Sequence, residues 1–309
     1  MNSDILISTK DLKKTYKKLF SPGFMALKGI TLNVGRGSVF GLLGPNGAGK
    51  TTMIKVLLGL IPSYKGEALV FGQPAGSVES RRRIGFLPEA HRLPGYLTAY
   101  QTLNLFGMYS GRSSSWLKKR IPAWLERVDM SHASGKKLRE FSKGMQQRVG
   151  LVQALIHEPE LIFLDEPTDG VDPVGRKVVR EIIEELRQKG TTVFVNSHLL
   201  QEVEKMCDEV VIMNKGKIIR EGSMANLTSN EGRVAFGLMP HDQNISLILK
   251  DLGSNLSITK EGFEIGLTPP ERDRAIDLLR EAGLSISSLS ERKVSLEDAF
   301  IDLIEEVQA

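Results

Sequence analysis

Only one cysteine, Cys207, occurs in the 309 residues, so the chain cannot close a disulfide on itself. The N-terminus lacks the charged, apolar and small-residue succession of a secretory signal, and a reducing cytoplasm is the expected compartment. Apolar runs are short. Glu160-Leu161-Ile162-Phe163-Leu164 and Thr192-Val193-Phe194-Val195 are strand length, far below the ~20 residues that span a bilayer, so the chain is expected not to cross a membrane by itself. There is no internal repeat or low-complexity tract. His91, His132, His157 and His241 fall in no metal-ligand spacing, and neither thiol nor Ser-His-Asp chemistry is suggested. Basic charge does not gather either: Lys13-Lys14, Arg81-Arg82-Arg83 and Lys118-Lys119-Arg120 are separate short groups. No nucleic-acid partner is expected.

What is present is an ordinary globular composition, 41% hydrophobic and 25% charged, long enough for a full core plus a small second domain. Charge divides the chain. Residues 1–222 carry a net +11 and residues 223–309 a net −7, which predicts a domain boundary near 222. The first part alternates β-branched runs with helical patterns, the signature of an α/β core with a largely parallel sheet. Strands are expected at Ser38–Leu43, Leu161–Leu164 and Thr191–Asn196. Each ends in a polar cluster, and in open α/β sheets ligands gather at the carboxyl ends of strands. From about 97 to 157 the pattern is mainly helical, with Trp116, Trp124 and Leu125 at apolar positions, and predicts a helical subdomain. After Gly222 a β-α-β-β-α-β order is expected: strands Val234–Leu238, Leu256–Thr259, Phe263–Leu267 and Ile286–Leu289, with helices Gln243–Leu252 and Glu271–Ala282. A last helix, Leu296–Val307, follows. This describes a small α+β, ferredoxin-like accessory domain over 223–309.

The strongest local signal is Gly44-Pro45-Asn46-Gly47-Ala48-Gly49-Lys50-Thr51-Thr52, a complete G-x-x-x-x-G-K-[ST] P-loop lying after a strand and before the helical run Met53–Leu60. Its glycines let the backbone wrap phosphates, and successive N–H groups at a helix N-terminus form an anion nest. Lys50 is placed to reach the β- and γ-phosphates of ATP and Thr51 to bind Mg²⁺. Asp165 and Glu166 follow an apolar strand. Asp165 is expected to hold Mg²⁺ through its water shell, and Glu166 to polarise a water in line with the γ-phosphate.

Between and beyond these lie Phe141-Ser142-Lys143-Gly144-Met145-Gln146-Gln147-Arg148, Glu166-Pro167-Thr168-Asp169-Gly170-Val171-Asp172 and Ser197-His198. In this order and spacing, residues from about 5 to 222 resemble ABC ATPases. The resemblance implies that 1–222 is an ABC ATPase domain and that Ser142 and Gly144 belong to a signature loop binding the γ-phosphate of ATP on an opposite protomer. Ser142 is also a good N-cap at a positive helix end. The family pattern is Leu-Ser-Gly-Gly-Gln; Phe141, Lys143 and Met145 depart from it. By the same resemblance Glu89 stands where a glutamine usually reaches the metal shell, His198 is the histidine contacting the γ-phosphate, and Asp172 is an acid coupling the two sites of a dimer. Tyr16 is a candidate to stack on adenine, with Phe20 and Phe24 as rivals.

The resemblance implies a homodimer of ATPase subunits that closes on ATP with Mg²⁺ and opens on hydrolysis. A separate polytopic membrane permease would hold it on the cytoplasmic face of the membrane. The signature and the appendix ending near Ser295–Phe300 are similar to bacterial exporters with separate ATPase and permease chains. The alternative is a non-transporter ABC ATPase or assembly module acting on a soluble complex. Coiled-coil genome-maintenance ATPases need a long arm for which residues 53–141 leave no room. Translation-factor relatives carry two cassettes, and the Asn-Lys-x-Asp of Ras-like GTPases is absent at Asn214–Lys217.

Overall fold

The computed structural model describes residues 4–18, 21–90, 92–228, 233–239, 245–250, 252–259, 262–291 and 295–306. The chain forms two compact units, Met1–Met224 and Ala225–Ala309. Among the described residues no helix is long and apolar enough to cross a membrane.

The first unit opens with β1 (Ile5–Lys18), β2 (Ser21–Gly35), β3 (Val39–Leu43), α1 (Lys50–Leu57), β4 (Lys65–Val70), β5 (Gln73–Pro74), α2 (Val78–Arg82) and β6 (Ile84–Leu87). The helical stretch is α3 (Ala99–Tyr109), α4 (Ser114–Arg127) and α5 (Lys143–Leu155), with two short 3-10 turns between α4 and α5. Then follow β7 (Leu161–Asp165), α6 (Pro173–Gln188), β8 (Thr192–Asn196), α7 (Leu200–Met206), β9 (Glu209–Asn214) and β10 (Lys217–Ser223).

Two sheets result. A four-stranded antiparallel sheet has the order β2-β1-β4-β5, and a six-stranded sheet the order β10-β9-β3-β8-β7-β6. The latter is parallel except at its edge, where β10 runs against β9. Every residue of β3, β7 and β8 is buried, as expected of strands covered on both faces, which is why they read as unbroken apolar runs. Phe40, Phe163 and Phe194 pack across three adjacent strands with ring centroids 5.4 and 5.2 Å apart. This core fixes the loops after β3, β7 and β8 side by side. The helix after the P-loop starts at Lys50 rather than the expected Met53, because Gly49, at φ 107°, serves as its N-cap. Lys50, Thr51 and Thr52 thereby enter the first turn.

The second unit contains β11 (Arg233–Met239), a single turn α9 (Ile245–Ile248), β12 (Ser254–Ile258), β13 (Gly262–Gly266), α10 (Pro269–Glu281), β14 (Ser285–Glu291) and α11 (Leu296–Glu306), the short α8 (Met224–Leu227) leading into it. Its antiparallel sheet has the order β12-β13-β11-β14, the split β-α-β arrangement of a ferredoxin-like domain. Thr268 and Glu271 form a capping box at α10. Phe236 and Phe263 stack at 4.8 Å within the core. The helix expected at Gln243–Leu252 is one turn among the described residues; its Gln243, Asn244 and Asp251 lie outside them, as does Val307 of the last helix.

Candidate functional site

The loop after β3 is built around two obligatory glycines. Gly44 has φ 148°, and a Cβ there would stand 2.2 Å from the Met213 carbonyl oxygen; Gly49 has φ 107°, and its Cβ would stand 2.6 Å from that of Ala26. A side chain at either position collides with fixed backbone. Gly47, at φ 81°, has open space where its Cβ would be. The Lys50 side chain folds back over the loop, its Nζ donating to the carbonyl oxygens of Gly44 at 2.5 Å and Pro45 at 3.3 Å.

A 490 Å³ cavity opens over this loop, lined by Asn46, Gly47, Ala48, Gly49, Lys50, Thr51, Thr52, Glu89, Glu166, Asn196 and His198, with Phe24 and Ala26 at one side. The strand order explains the convergence: β3 and β8 are neighbours, and β8 is next to β7, so Glu166 and His198 emerge beside the P-loop. Glu89 follows β6 at the sheet edge.

The carboxylate of Glu166 is buried and well held. It accepts from the Ser197 hydroxyl at 3.2 Å and from the His198 backbone N–H at 3.0 Å, and His198 Nδ1 stands 2.8 Å from it. Glu166 itself has φ 55°, a left-handed conformation that a non-glycine residue adopts only where its surroundings impose it. Here the backbone is clamped: Glu166 N donates to the Asn196 carbonyl at 2.8 Å, and the buried Gln147 amide of α5 donates to the Glu166 carbonyl at 2.9 Å.

Burial pushes the Asp165 carboxyl above its ordinary value, against a hydrogen bond from Asn196 that lowers it, and the like charges of Glu89 and Glu166 push it further up. Burial also lowers Lys50, opposed by the attraction of Glu166, Asp165 and Glu89. Three carboxylates therefore face one ammonium, an excess of negative charge that a divalent cation would offset. Thr51, Asp165 and Glu89 are hard oxygen donors suited to Mg²⁺. Among the described residues no group of three or more acidic, histidine or cysteine side chains is assembled to hold a metal.

Other candidates lie elsewhere. Ser142 caps α5, accepting from Met145 N at 3.3 Å, and Asp172 caps α6, accepting from Gly175 N at 3.3 Å and from Arg148 at 2.6 Å. Ser142, Gly144 and Asp172 do not line the cavity. Tyr16 does not line it either; its hydroxyl is 3.5 Å from that of Thr52, while its register partner on β2, Phe24, lies on the cavity wall and is 61% exposed. Phe20 lies outside the described residues.

Sequence reasoning did not single out Asn196 or Gln147. Asn196 is the one polar side chain closing an apolar strand, directly before Ser197-His198. Gln147 shares a helix face with Leu151 and Ala154, at i, i+4 and i+7, and all three are buried. A polar residue on an apolar stripe was the available signal.

Residues 27–169 match the family model described as ABC transporter. Over 308 residues the chain is 40% identical to an uncharacterized ABC transporter ATP-binding protein of Nostoc sp., covering 98% of this chain and 91% of that one. It is 34% identical over 307 residues to the bacitracin transport ATP-binding protein of Bacillus licheniformis, covering 97% of each. Among solved structures it resembles a dimeric ATP-binding cassette in a post-hydrolysis state bound to ADP and Pi, with a TM-score of 0.65, 25% identity, and 71% of this chain and 99% of that chain covered.

Proposed function

This chain belongs to the family of ABC transporter ATP-binding proteins, an ATP-hydrolysing subunit, and we propose that it powers a separate polytopic membrane permease as part of an exporter. One observation carries the reading: the cavity gathers Lys50, Glu89, Glu166 and His198, yet leaves Ser142 and Gly144 outside it. A nucleotide in that cavity meets the signature loop only if a second copy supplies it, so ATP sits between two chains and closes them.

In this reading the P-loop N–H groups and Lys50 bind the β- and γ-phosphates. Thr51 and Asp165, with Glu89, would hold Mg²⁺, which would supply charge neutralisation for the phosphates. Glu166 accepts a proton from the attacking water, and His198 holds both that carboxylate and the γ-phosphate region in place. Phe24 or Tyr16 offers an aromatic face to adenine. Glu89, on the loop after β6, links the nucleotide to the helical subdomain, through which motion reaches the permease on the cytoplasmic face of the membrane. Export is favoured by the similarity to a Nod factor export ATP-binding protein of Rhizobium sp., 33% identical over 285 residues, and by the accessory domain after residue 222.

The test is affinity purification of the Glu166→Gln chain in ATP from gently solubilised membranes, with mass spectrometry of what accompanies it. A polytopic membrane protein in stoichiometric amount is the expected result. Soluble partners or ribosomes alone would overturn the transporter assignment of this chain's partner.

A further inference from the structure

A second cavity of 490 Å³ opens between α4 and α6 and shares no lining residue with the cavity over the P-loop. Three segments build it: α4, the turn joining α5 to β7, and the second half of α6 with the turn into β8. Trp124, Leu155, Pro159, Ile182 and Leu186 make much of its lining apolar, and Leu155 and Ile182 are buried. The walls are tied at a set spacing. Arg127 of α4 reaches across to α6, its Nε and Nη2 donating to Glu185 at 3.1 and 2.6 Å and Nη2 also to Glu181 at 3.2 Å. A planar guanidinium on carboxylates fixes geometry as well as attraction, so the cavity is preformed, as small-molecule sites mostly are.

The polar groups decide what such a cavity would take. Each carboxylate in the lining already has a cation: Glu158 accepts from Arg120 at 2.6 Å, Glu185 from Arg127, and Glu160 from Arg83 through two bonds of 2.6 Å. The carbonyls ending α6 are spent as well, since Lys189 N donates to those of Glu185 and Leu186, Gly190 N to Arg187 and Thr191 N to Leu186. The Lys189 ammonium, the Trp124 indole N–H and the Thr191 hydroxyl carry no partner among the described residues. The first two are donors with no acceptor capacity, and the third can donate. A cation would find every carboxylate taken, whereas an apolar body bearing one acidic group meets both the lining and its unspent donors.

We propose that the cleft between α4 and α6 is a binding site for a small amphiphilic anion, an apolar body carrying a single carboxylate or similar acid. The apolar part displaces water from Leu155, Ile182 and Leu186, and this burial supplies the affinity. Lys189 selects the sign of the charge. One wall belongs to the helical stretch and the other to the helix that Asp172 caps, so the occupant bridges these two pieces of the first unit.

Trp116 and Trp124 are the two tryptophans of the chain, so Trp116→Phe leaves Trp124 as a reporter in the cavity wall. The full-length chain with this change is titrated with octanoate, octylammonium and 1-octanol in nucleotide-free buffer, and equilibrium dialysis of the unaltered chain with labelled octanoate counts the sites. One octanoate per chain, held about fivefold more tightly than octylammonium, is the expected result. Lys189→Glu, at an exposed position, should reverse that preference and leave 1-octanol unchanged, because only the charge differs. Ala123→Phe, on the exposed side of α4, fills the cavity and removes saturable binding of all three, with thermal unfolding of each variant as the control for folding. Equal binding of octanoate and octylammonium, or a preference that Lys189→Glu leaves untouched, would overturn the choice of an anion. Binding that never saturates, or that survives Ala123→Phe undiminished, would overturn the site itself.

Discussion

Replacing Gln147 by Met tests whether the strained backbone of Glu166 is held from α5. The side chain is 2% exposed, and its amide supplies the 2.9 Å bond to the Glu166 carbonyl. Methionine fills a similar unbranched volume but donates nothing. The carbonyl is not left bare, since Asp169 N still donates to it at 3.2 Å. The loss is therefore that of one neutral hydrogen bond, about 1 kcal/mol, without the penalty of an unsatisfied buried acceptor. In a domain of this size that lowers Tm by about 2–4 °C. The functional effect is larger. A left-handed non-glycine residue stores about 1–3 kcal/mol of strain, and with one restraint removed the backbone relaxes and carries the carboxylate away from its place beside His198. A displacement on the order of 1 Å lowers kcat about ten- to hundredfold. KM for ATP stays near the parent value, because Gln147 does not line the cavity. Calorimetry or circular dichroism reads the first quantity and steady-state phosphate release the second. A variant with the small drop in Tm but full turnover would refute the bracing role, and one that melts about 10 °C lower would show that the loss is not one bond.

Phe24→Ala should weaken binding of a fluorescent adenine nucleotide about five- to hundredfold, the worth of one stacking contact, and Tyr16→Ala much less, since only Phe24 lines the cavity; equal losses in titration would reject that distinction. Asp165 holds its proton, in the folded chain, to a higher pH than the unfolded carboxyl with its ordinary value of 3.8. Stability from this group accordingly falls as pH rises through the window between the two values. In metal-free buffer the stability of Asp165→Asn relative to the parent should then grow as pH rises from about 4 upward, and denaturant titrations showing the reverse trend would contradict a burial-dominated site. A fragment of residues 1–224 should unfold cooperatively and bind nucleotide, because each unit has its own core; a fragment that is molten by near-UV circular dichroism would refute this.

The sequence alone determined what contiguous residues encode. The P-loop is legible because its glycines, lysine and hydroxyl act through the backbone of one turn and the first residues of one helix. The buried strands are legible because both faces are covered and the apolar run is unbroken. The ferredoxin-like order of the second unit likewise follows from local alternation and turn residues. Tertiary structure alone decided which of these pieces meet. That β8 lies between β3 and β7 brings Glu166, Asn196 and His198 to the P-loop, and no residue in any one of those strands records its neighbour. The left-handed backbone of Glu166 is held by Gln147 and Asn196 from two separate segments, with Asp169 N closing the turn behind it. The wall of the cavity was decided by strand pairing, which put Phe24 rather than Tyr16 against it. The reason is common to all of these: periodicity and turn chemistry act over a few residues, whereas the neighbours that impose strain and shift a carboxyl's affinity for its proton are contributed by chain tens of residues away.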